Sequence, residues 1–208
     1  RELDMGKSGR KTRRAKQKCG GTKGDVTYTS RPLAVHLIST LTLLLAAGMV
    51  VLDPCAGLGS FSNRLLEMGF EVSVCEIDPA CFDALGLEGP VDFFSWTKSV
   101  EAIIGNPPWS GFPDPNTGKA RGAKKWFAHA FSLASVFVAF VIGKTALTPA
   151  LLRLANDNGF YLVQLELFNC WGRGGKGKSD SDHAVKHRAG FDGPCFAVFS
   201  KLGTKNIL

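Results

Sequence analysis

Short apolar runs alternate with stretches of helical periodicity along most of the chain, and the alternation predicts the fold. Val50-Val51-Leu52 reads as a buried strand, and Glu71 to Cys75, Val100 to Ile104 and Val136 to Ile142 as further strands. Between them, Ser60 to Met68 reads as a helix, Ile77 to Leu85 as a turn and helix, and Lys124 to Ala134 as a helix. Thr148-Pro149 opens another that ends near Gly159. Ahead of the first strand, Tyr28-Thr29-Ser30-Arg31-Pro32 offers hydroxyls as N-caps and a proline near the first helical position, and a helix to about Ala47 follows. Tyr161 to Phe168 and Cys195 to Lys201 are strands separated by a long polar segment. The pattern predicts an α/β fold with a doubly wound, mostly parallel sheet and an antiparallel pair at one edge.

Composition refines this picture without changing it. At 208 residues, 45% of them hydrophobic, one domain with a sizeable core is expected, spanning residues 26–208. Residues 1–25 gather Lys7, Arg10, Lys11, Arg13, Arg14, Lys16 and Lys18 among polar residues and glycines, the composition of a disordered basic arm. Leu33 to Leu52 is apolar enough to suggest a membrane span. His36, Ser39, Thr40 and Thr42 interrupt it and Gly48 splits it, so a helix followed by a strand is the better reading and no membrane partner is expected. The basic N-terminus has no apolar h-region, so no secretory signal is expected, and a chain that opens on Arg1 predicts a processed or partial one. A net charge of +7 favours an anionic partner. The six cysteines, Cys19, Cys55, Cys75, Cys81, Cys170 and Cys195, show no C-x-x-C pairing, which points to a reducing, intracellular compartment and to neither a zinc site nor a disulfide framework.

The chemistry concentrates at the ends of the predicted strands. Ile103-Ile104-Gly105-Asn106-Pro107-Pro108-Trp109 ends an apolar run with an amide, two prolines and an indole. Two successive prolines remove two N–H donors and stiffen the backbone, leaving carbonyl acceptors. A carboxamide oxygen beside a proline carbonyl suits a planar amine, and Trp109 offers a face for stacking. Asp53-Pro54-Cys55-Ala56-Gly57-Leu58-Gly59-Ser60-Phe61 joins the first strand to a helix, where Gly57 and Gly59 permit a tight turn close to a ligand. The third glycine of the dinucleotide fingerprint is replaced by Ser62. Glu76 follows about twenty residues later, where an acid can accept both hydroxyls of a ribose. Asp92 before Phe93 offers a carboxylate and a ring to an adenine. Together these describe a site for an adenosine-containing ligand.

Read in order, these motifs resemble the S-adenosylmethionine-dependent amino-methyltransferases, and among them the N6-adenine DNA methyltransferases of the gamma arrangement. The resemblance runs from Thr27 to about Leu202 and implies a Rossmann-like class I methyltransferase fold with S-adenosyl-L-methionine as cofactor and no metal. It rests on Tyr28-Thr29-Ser30-Arg31-Pro32 as the leading cofactor motif, Asp53 to Phe61 as Asp-Pro-x-x-Gly-x-Gly-x-Phe, Glu76-Ile77-Asp78-Pro79, Asp92-Phe93 and Asn106-Pro107-Pro108-Trp109. The family's roles would then fall on Asp53, Gly57 and Gly59 at the methionine part, on Glu76 at the ribose, and on Ile77, Asp92 and Phe93 at the adenine, with Tyr28, Thr29, Cys55 and Phe61 also bordering the cofactor. Asn106, which also borders the cofactor, and the Pro107 carbonyl would accept the hydrogens of the target amine, with Pro108 completing the motif and Trp109 stacking on the extruded base.

The implied substrate is nucleic acid, DNA ahead of RNA because of the motif order. A rival class methylates the side-chain amide of protein glutamine through a similar Asn-Pro-Pro-aromatic signature; a further alternative is a non-catalytic subunit of a methyltransferase complex. The family commonly carries a separate recognition domain for which this chain has no room, so specificity is expected from a loop, a missing segment or a partner subunit. Two glycine-rich basic segments are the expected cleft walls: Ser110 to Ala123, with Lys119 and Arg121 and the neighbouring Lys124 and Lys125 following phosphates, and Gly172 to Gly193, with Phe191 as a second stacking ring. His183 and His187, near Asp180 and Asp182, read as part of a loop more than as metal ligands. His36 and His129 are expected to pack on helices, and Trp126, Phe127, Phe131 and Phe137 to lie in the core.

Overall fold

The apolar runs become the strands of one sheet in the computed structural model, which describes residues 28–108, 122–167 and 194–201. Among the described residues there are six strands: β1 Val50–Asp53, β2 Glu71–Val74, β3 Val100–Gly105, β4 Ala134–Gly143, β5 Tyr161–Leu167 and β6 Pro194–Ser200. Their order across the sheet is β2-β1-β3-β4-β6-β5. The pairs β1/β2, β1/β3 and β3/β4 are parallel, whereas β6 is antiparallel to both β4 and β5. The expected antiparallel pair is present, and the reversed strand, β6, lies inside the sheet with every residue buried.

Among the described residues there are five α-helices, α1 Arg31–Ser39, α2 Ser60–Glu67, α3 Phe82–Leu85, α4 Ala123–Leu133 and α5 Pro149–Asp157, of which α1 and α2 cover one face and α4 and α5 the other. Successive side chains of a strand point to opposite faces, so the continuous apolar strands feed two cores. Ile103 of β3 and Val138 and Phe140 of β4 pack with Phe127, Phe131 and Leu151 of α4 and α5. Their neighbours Ala102, Ile104, Phe137 and Ala139 pack with Leu37, Ile38, Phe61 and Leu65 of α1 and α2. This two-sided burial is what a doubly wound sheet requires.

The α5 start follows its sequence signal: Thr148 caps the helix, its Oγ1 accepting the Leu151 N–H at 3.2 Å, with Pro149 in the first turn. The first helix is shorter than expected. It stops at Ser39 and not near Ala47 because Ser39 Oγ and Thr40 Oγ1 donate to the carbonyls of His36 and Leu37 at 2.6 and 2.7 Å. The chain then continues in turns closed by three-residue bonds such as Leu44 N–H to Leu41 O at 2.8 Å. The expected helix after β2 reduces to a 3₁₀ turn, Pro79–Cys81, and the single turn of α3. His36 is also a correction, since it is exposed and its Nε2 lies 2.5 Å from Glu166 Oε1 of β5. His129 does pack, with its ring against Phe93 and Phe94 at 4.7 and 5.4 Å. Trp126, Phe127, Phe131 and Phe137 are all buried. Among the described residues no helix is long and apolar enough to cross a membrane. The basic arm, Trp109, Lys119, Arg121, Phe191, His183 and His187 lie outside the described residues.

Candidate active site

Parallel register puts the carboxyl ends of β1 and β3 side by side, with Leu52 opposite Ile103. The Asp53 and Gly105 strand ends therefore meet, and Gly105 makes the approach possible. A Cβ there would lie 2.9 Å from Pro54 Cδ and 3.0 Å from Asp53 Oδ1. Asn106, half-buried, and Pro107, buried, follow directly, so the acceptor-rich motif borders the Asp53 carboxylate.

Asp53 is 1% exposed. Its Oδ1 accepts the Cys55 N–H at 3.4 Å, and Oδ2 has no hydrogen-bond partner. Burial pushes the carboxyl up to about 7; the Cys55 N–H opposes this, the nearby Glu76 charge adds to it, and the Ser62 N–H opposes it. A buried, half-satisfied carboxylate of this kind is complementary to a cation.

Beyond Asp53 the chain turns through Gly57 and Gly59, both in the left-handed region with φ of 55° and 82°. A Cβ on Gly57 would come within 2.9 Å of the Tyr28 ring. The Gly57 N–H donates to Glu76 Oε2 at 2.7 Å, and Glu76 Oε1 accepts the N–H groups of Ile77 and Asp78 at 2.7 and 2.8 Å. Asp78 Oδ2 accepts the Tyr28 hydroxyl at 3.3 Å. Tyr28, Gly57, Glu76 and Asp78 thus form a closed ring of contacts. Ser60 Oγ, donating to the Thr29 carbonyl at 2.6 Å, fixes the same segment to the start of α2. Burial pushes the Tyr28 phenol up, leaving it a neutral donor.

The strand end of β2 also meets the segment carrying Asp92, because Val91 N–H donates to the Glu76 carbonyl at 2.8 Å. Asp92 Oδ1 accepts the Phe94 N–H at 3.0 Å and starts the 3₁₀ turn Phe93–Ser95. Ile77 is 38% exposed at this place, a usable apolar surface. Phe93 is not. It is 1% exposed and lies flat against Trp126, ring centroids 5.1 Å apart, so one face of its ring packs into the core. Phe61 likewise lies in the core beneath the glycine turn, and half-buried Cys55 is a free thiol that burial holds well above the usual range.

The structure therefore brings together Tyr28, Thr29, Asp53, Cys55, Gly57, Gly59, Glu76, Ile77, Asp92, Asn106, Pro107 and Pro108 along the carboxyl edge of β2, β1 and β3. Gly105 and Asp78, which stand within the sequence motifs without roles of their own, join the site through the fold. The strand-ending glycine and the Asp-Pro pair were both visible signals, and Asp78 indeed caps the next turn, accepting the Ala80 N–H at 3.0 Å. The described ends flanking residues 168–193 also lie at this edge, since Gly143 of β4 pairs with Pro194 and Leu167 of β5 with Cys195, and Ala123, after the other expected cleft wall, shares a hollow with Pro107 and Pro108. Among the described residues no group of His, Cys, Asp and Glu is arranged to hold a metal ion.

No family model and no curated protein sequence matches the chain. Solved structures do. A proposed RNA methyltransferase from Pyrococcus horikoshii aligns with a TM-score of 0.58 at 18% identity, covering 84% of this chain and 86% of that one. The modification subunit of a proposed type I restriction enzyme from Vibrio vulnificus aligns at 0.56 and 14% identity, covering 86% of this chain and 45% of that one. Magnesium protoporphyrin IX methyltransferase from Synechocystis, solved with bound S-adenosylmethionine, aligns at 0.52 and 15% identity, covering 81% and 76%. At these identities the likeness speaks for architecture, and the architecture is plain: the chain has the Rossmann-like fold of the class I methyltransferases.

Proposed function

We propose that the chain is an S-adenosylmethionine-dependent methyltransferase that methylates the exocyclic N6 amine of adenine in nucleic acid, with DNA favoured over RNA. The observation that carries this reading is the meeting of Asp53 and Asn106-Pro107-Pro108 across the Gly105 contact. A cation-seeking carboxylate and an amine-seeking acceptor pair stand at adjacent strand ends.

The residues present fit the cofactor. The orphaned Asp53 Oδ2 suits the methionine ammonium, and glycines at 57 and 59 let the turn pass at positive φ against Tyr28 and Asn63, where a Cβ would clash. Ile77 offers its exposed surface and Asp92 a carboxylate to the adenine. Glu76 is held rigidly by three amides, which leaves about one lone pair for a ribose hydroxyl. When bound, the cofactor supplies an electrophilic methyl on a sulfonium sulfur. The Asn106 carboxamide oxygen and the Pro107 carbonyl accept the two amine hydrogens, which draws the nitrogen toward pyramidal geometry and frees its lone pair for attack. The same acceptors stabilise the positive charge that develops on nitrogen, and a proton leaves along one of those bonds to water. Prolines fix both acceptors beforehand, so little reorganisation is needed.

Nucleic acid is favoured as substrate by the net charge of +7 and by the exposed Lys124 and Lys125 of α4, which follow Ala123, a residue that shares a hollow with Pro107 and Pro108. Two of the structural neighbours carry names of nucleic-acid-modifying proteins, in keeping with this. Asn106→Ala is the direct test: methyl transfer to nucleic acid is expected to vanish while S-adenosylhomocysteine still binds and the melting temperature holds. Undiminished transfer by that variant would remove Asn106 from the mechanism.

A further inference from the structure

The turn that carries Asp92 is held from within and from outside. Val91 N–H donates to the Glu76 carbonyl at 2.8 Å, so the turn begins beside the end of β2. Asp92 then closes it twice over: Oδ1 accepts the Phe94 N–H at 3.0 Å, and the main-chain carbonyl accepts the Ser95 N–H at 2.9 Å. Because Oδ1 is tied to the turn, the direction of the carboxylate is set by the direction of the turn.

Helix α4 supplies the outside hold. His129 Nε2 lies 3.0 Å from the Phe93 carbonyl oxygen. A carbonyl only accepts, so Nε2 carries the hydrogen and donates it. The same oxygen accepts the Trp96 N–H at 3.0 Å, which puts both of its lone pairs to use. The half-buried imidazole also lies along Phe94, 24° between planes and 5.4 Å between centroids, and meets Phe93 at 73° and 4.7 Å. Three residues earlier on α4, Trp126 stacks on Phe93. One side chain, His129, thus grips the turn by its backbone and by two rings. An apolar ring would serve the packing; only a donor at the Nε2 position serves the carbonyl, which belongs to the residue next to Asp92.

Building on the methyltransferase reading above, in which Asp92 meets the adenine amine of the cofactor, we infer that His129 is a positioning residue for that contact. Its Nε2–H fixes the Phe93 carbonyl and so holds the Asp92 carboxylate where the amine arrives. A group held in place beforehand loses less freedom on binding, so this hydrogen bond raises cofactor affinity. The chemical step, which rests on Asn106 and Pro107, is left alone.

The test is a cycle between protein and ligand on the full chain. Wild type and His129→Phe are titrated with S-adenosylhomocysteine and with its purine analogue, which has hydrogen in place of the adenine amine. Without the amine, the direction of Asp92 no longer matters. His129→Phe is expected to bind S-adenosylhomocysteine about fivefold more weakly than wild type and the purine analogue equally well. His129→Gln, whose side-chain amide keeps a donor, is expected to recover most of the loss. In turnover by His129→Phe, KM for S-adenosylmethionine should rise about fivefold while kcat stays within about twofold. Replacement of His129 by β-(4-thiazolyl)alanine keeps a five-membered ring and puts sulfur where Nε2–H stands, so the same cycle can be run should phenylalanine disturb folding. Equal weakening for both ligands, or no weakening for either, would overturn the inference and assign the imidazole to packing alone. Equal affinity of wild type for the two ligands would overturn it as well, since Asp92 would then not meet the amine. Failure of wild type to bind S-adenosylhomocysteine at all would overturn the methyltransferase reading itself, a separate outcome.

Discussion

Replacing Asp53 by asparagine separates the site's electrostatics from its shape. The carboxyl's ordinary value is 3.8, and in the folded chain it stands at about 7. At about 1.4 kcal/mol per pH unit, that gap amounts to about 4 kcal/mol of destabilisation once the buried group ionises. The sign follows from proton binding. Between the two values the native state holds a proton that the unfolded chain has released, so stability is fullest at about pH 4, falls as pH rises, and reaches its floor above about pH 7. The substituted carboxamide cannot ionise, and its oxygen can still accept the Cys55 N–H. Its amide hydrogens inherit the unpaired position, which offsets about 1–3 kcal/mol of the gain. Ligand-free Asp53→Asn is therefore expected to exceed wild type by about 1–3 kcal/mol in urea unfolding at pH 8 and to lose that advantage at pH 5. Cofactor binding should move oppositely. At pH 6, wild type must give up close to one proton when an ammonium settles on Asp53, seen as a dependence of binding enthalpy on buffer ionisation, and the variant none. A variant less stable than wild type at pH 8, or buffer-independent binding by wild type at pH 6, would refute the cation-site reasoning.

Other outcomes follow from packing and charge. Gly105→Ala drives a Cβ to 2.9 Å from Pro54 Cδ and 3.0 Å from Asp53 Oδ1; a loss of about 1–3 kcal/mol in thermal or urea unfolding is expected, together with weaker S-adenosylhomocysteine binding. Phe127→Ala empties the centre of an aromatic cluster that includes Phe131, Phe140 and Phe199, and should cost about 3–5 kcal/mol in urea unfolding. Phosphate contacts predict that nucleic-acid affinity falls steeply and log-linearly with salt; a flat response in a filter-binding titration would redirect attention to a protein substrate.

Much of the fold was legible because it is written locally. Val100 to Ile104 and Val136 to Ile142 are apolar at successive positions, the mark of strands covered on both sides, and Thr148-Pro149 states its own helix start. The glycine turn and the acids at Glu76 and Asp92 were legible as a series because each sits just after an apolar run. What escaped depends on distant partners. No local signal says that β6 inserts between β4 and β5, or that His36 reaches Glu166. The end of α1 turned on hydroxyls competing for carbonyls, a contest that periodicity does not register. That Phe93 stacks one face on Trp126, thirty-three residues on, is likewise settled only by the fold. Gly105 looked like a strand terminator; only the folded register shows that it lets the two halves of the site touch.

The most direct measurement is product identification. The chain is incubated with methyl-labelled S-adenosylmethionine and, separately, duplex DNA, single-stranded DNA, RNA and a protein pool, and the labelled material is digested and chromatographed. Label is expected in N6-methylated adenine nucleoside, strongest from DNA. Label confined to glutamine in protein, or to a base position without an exocyclic amine, would contradict it.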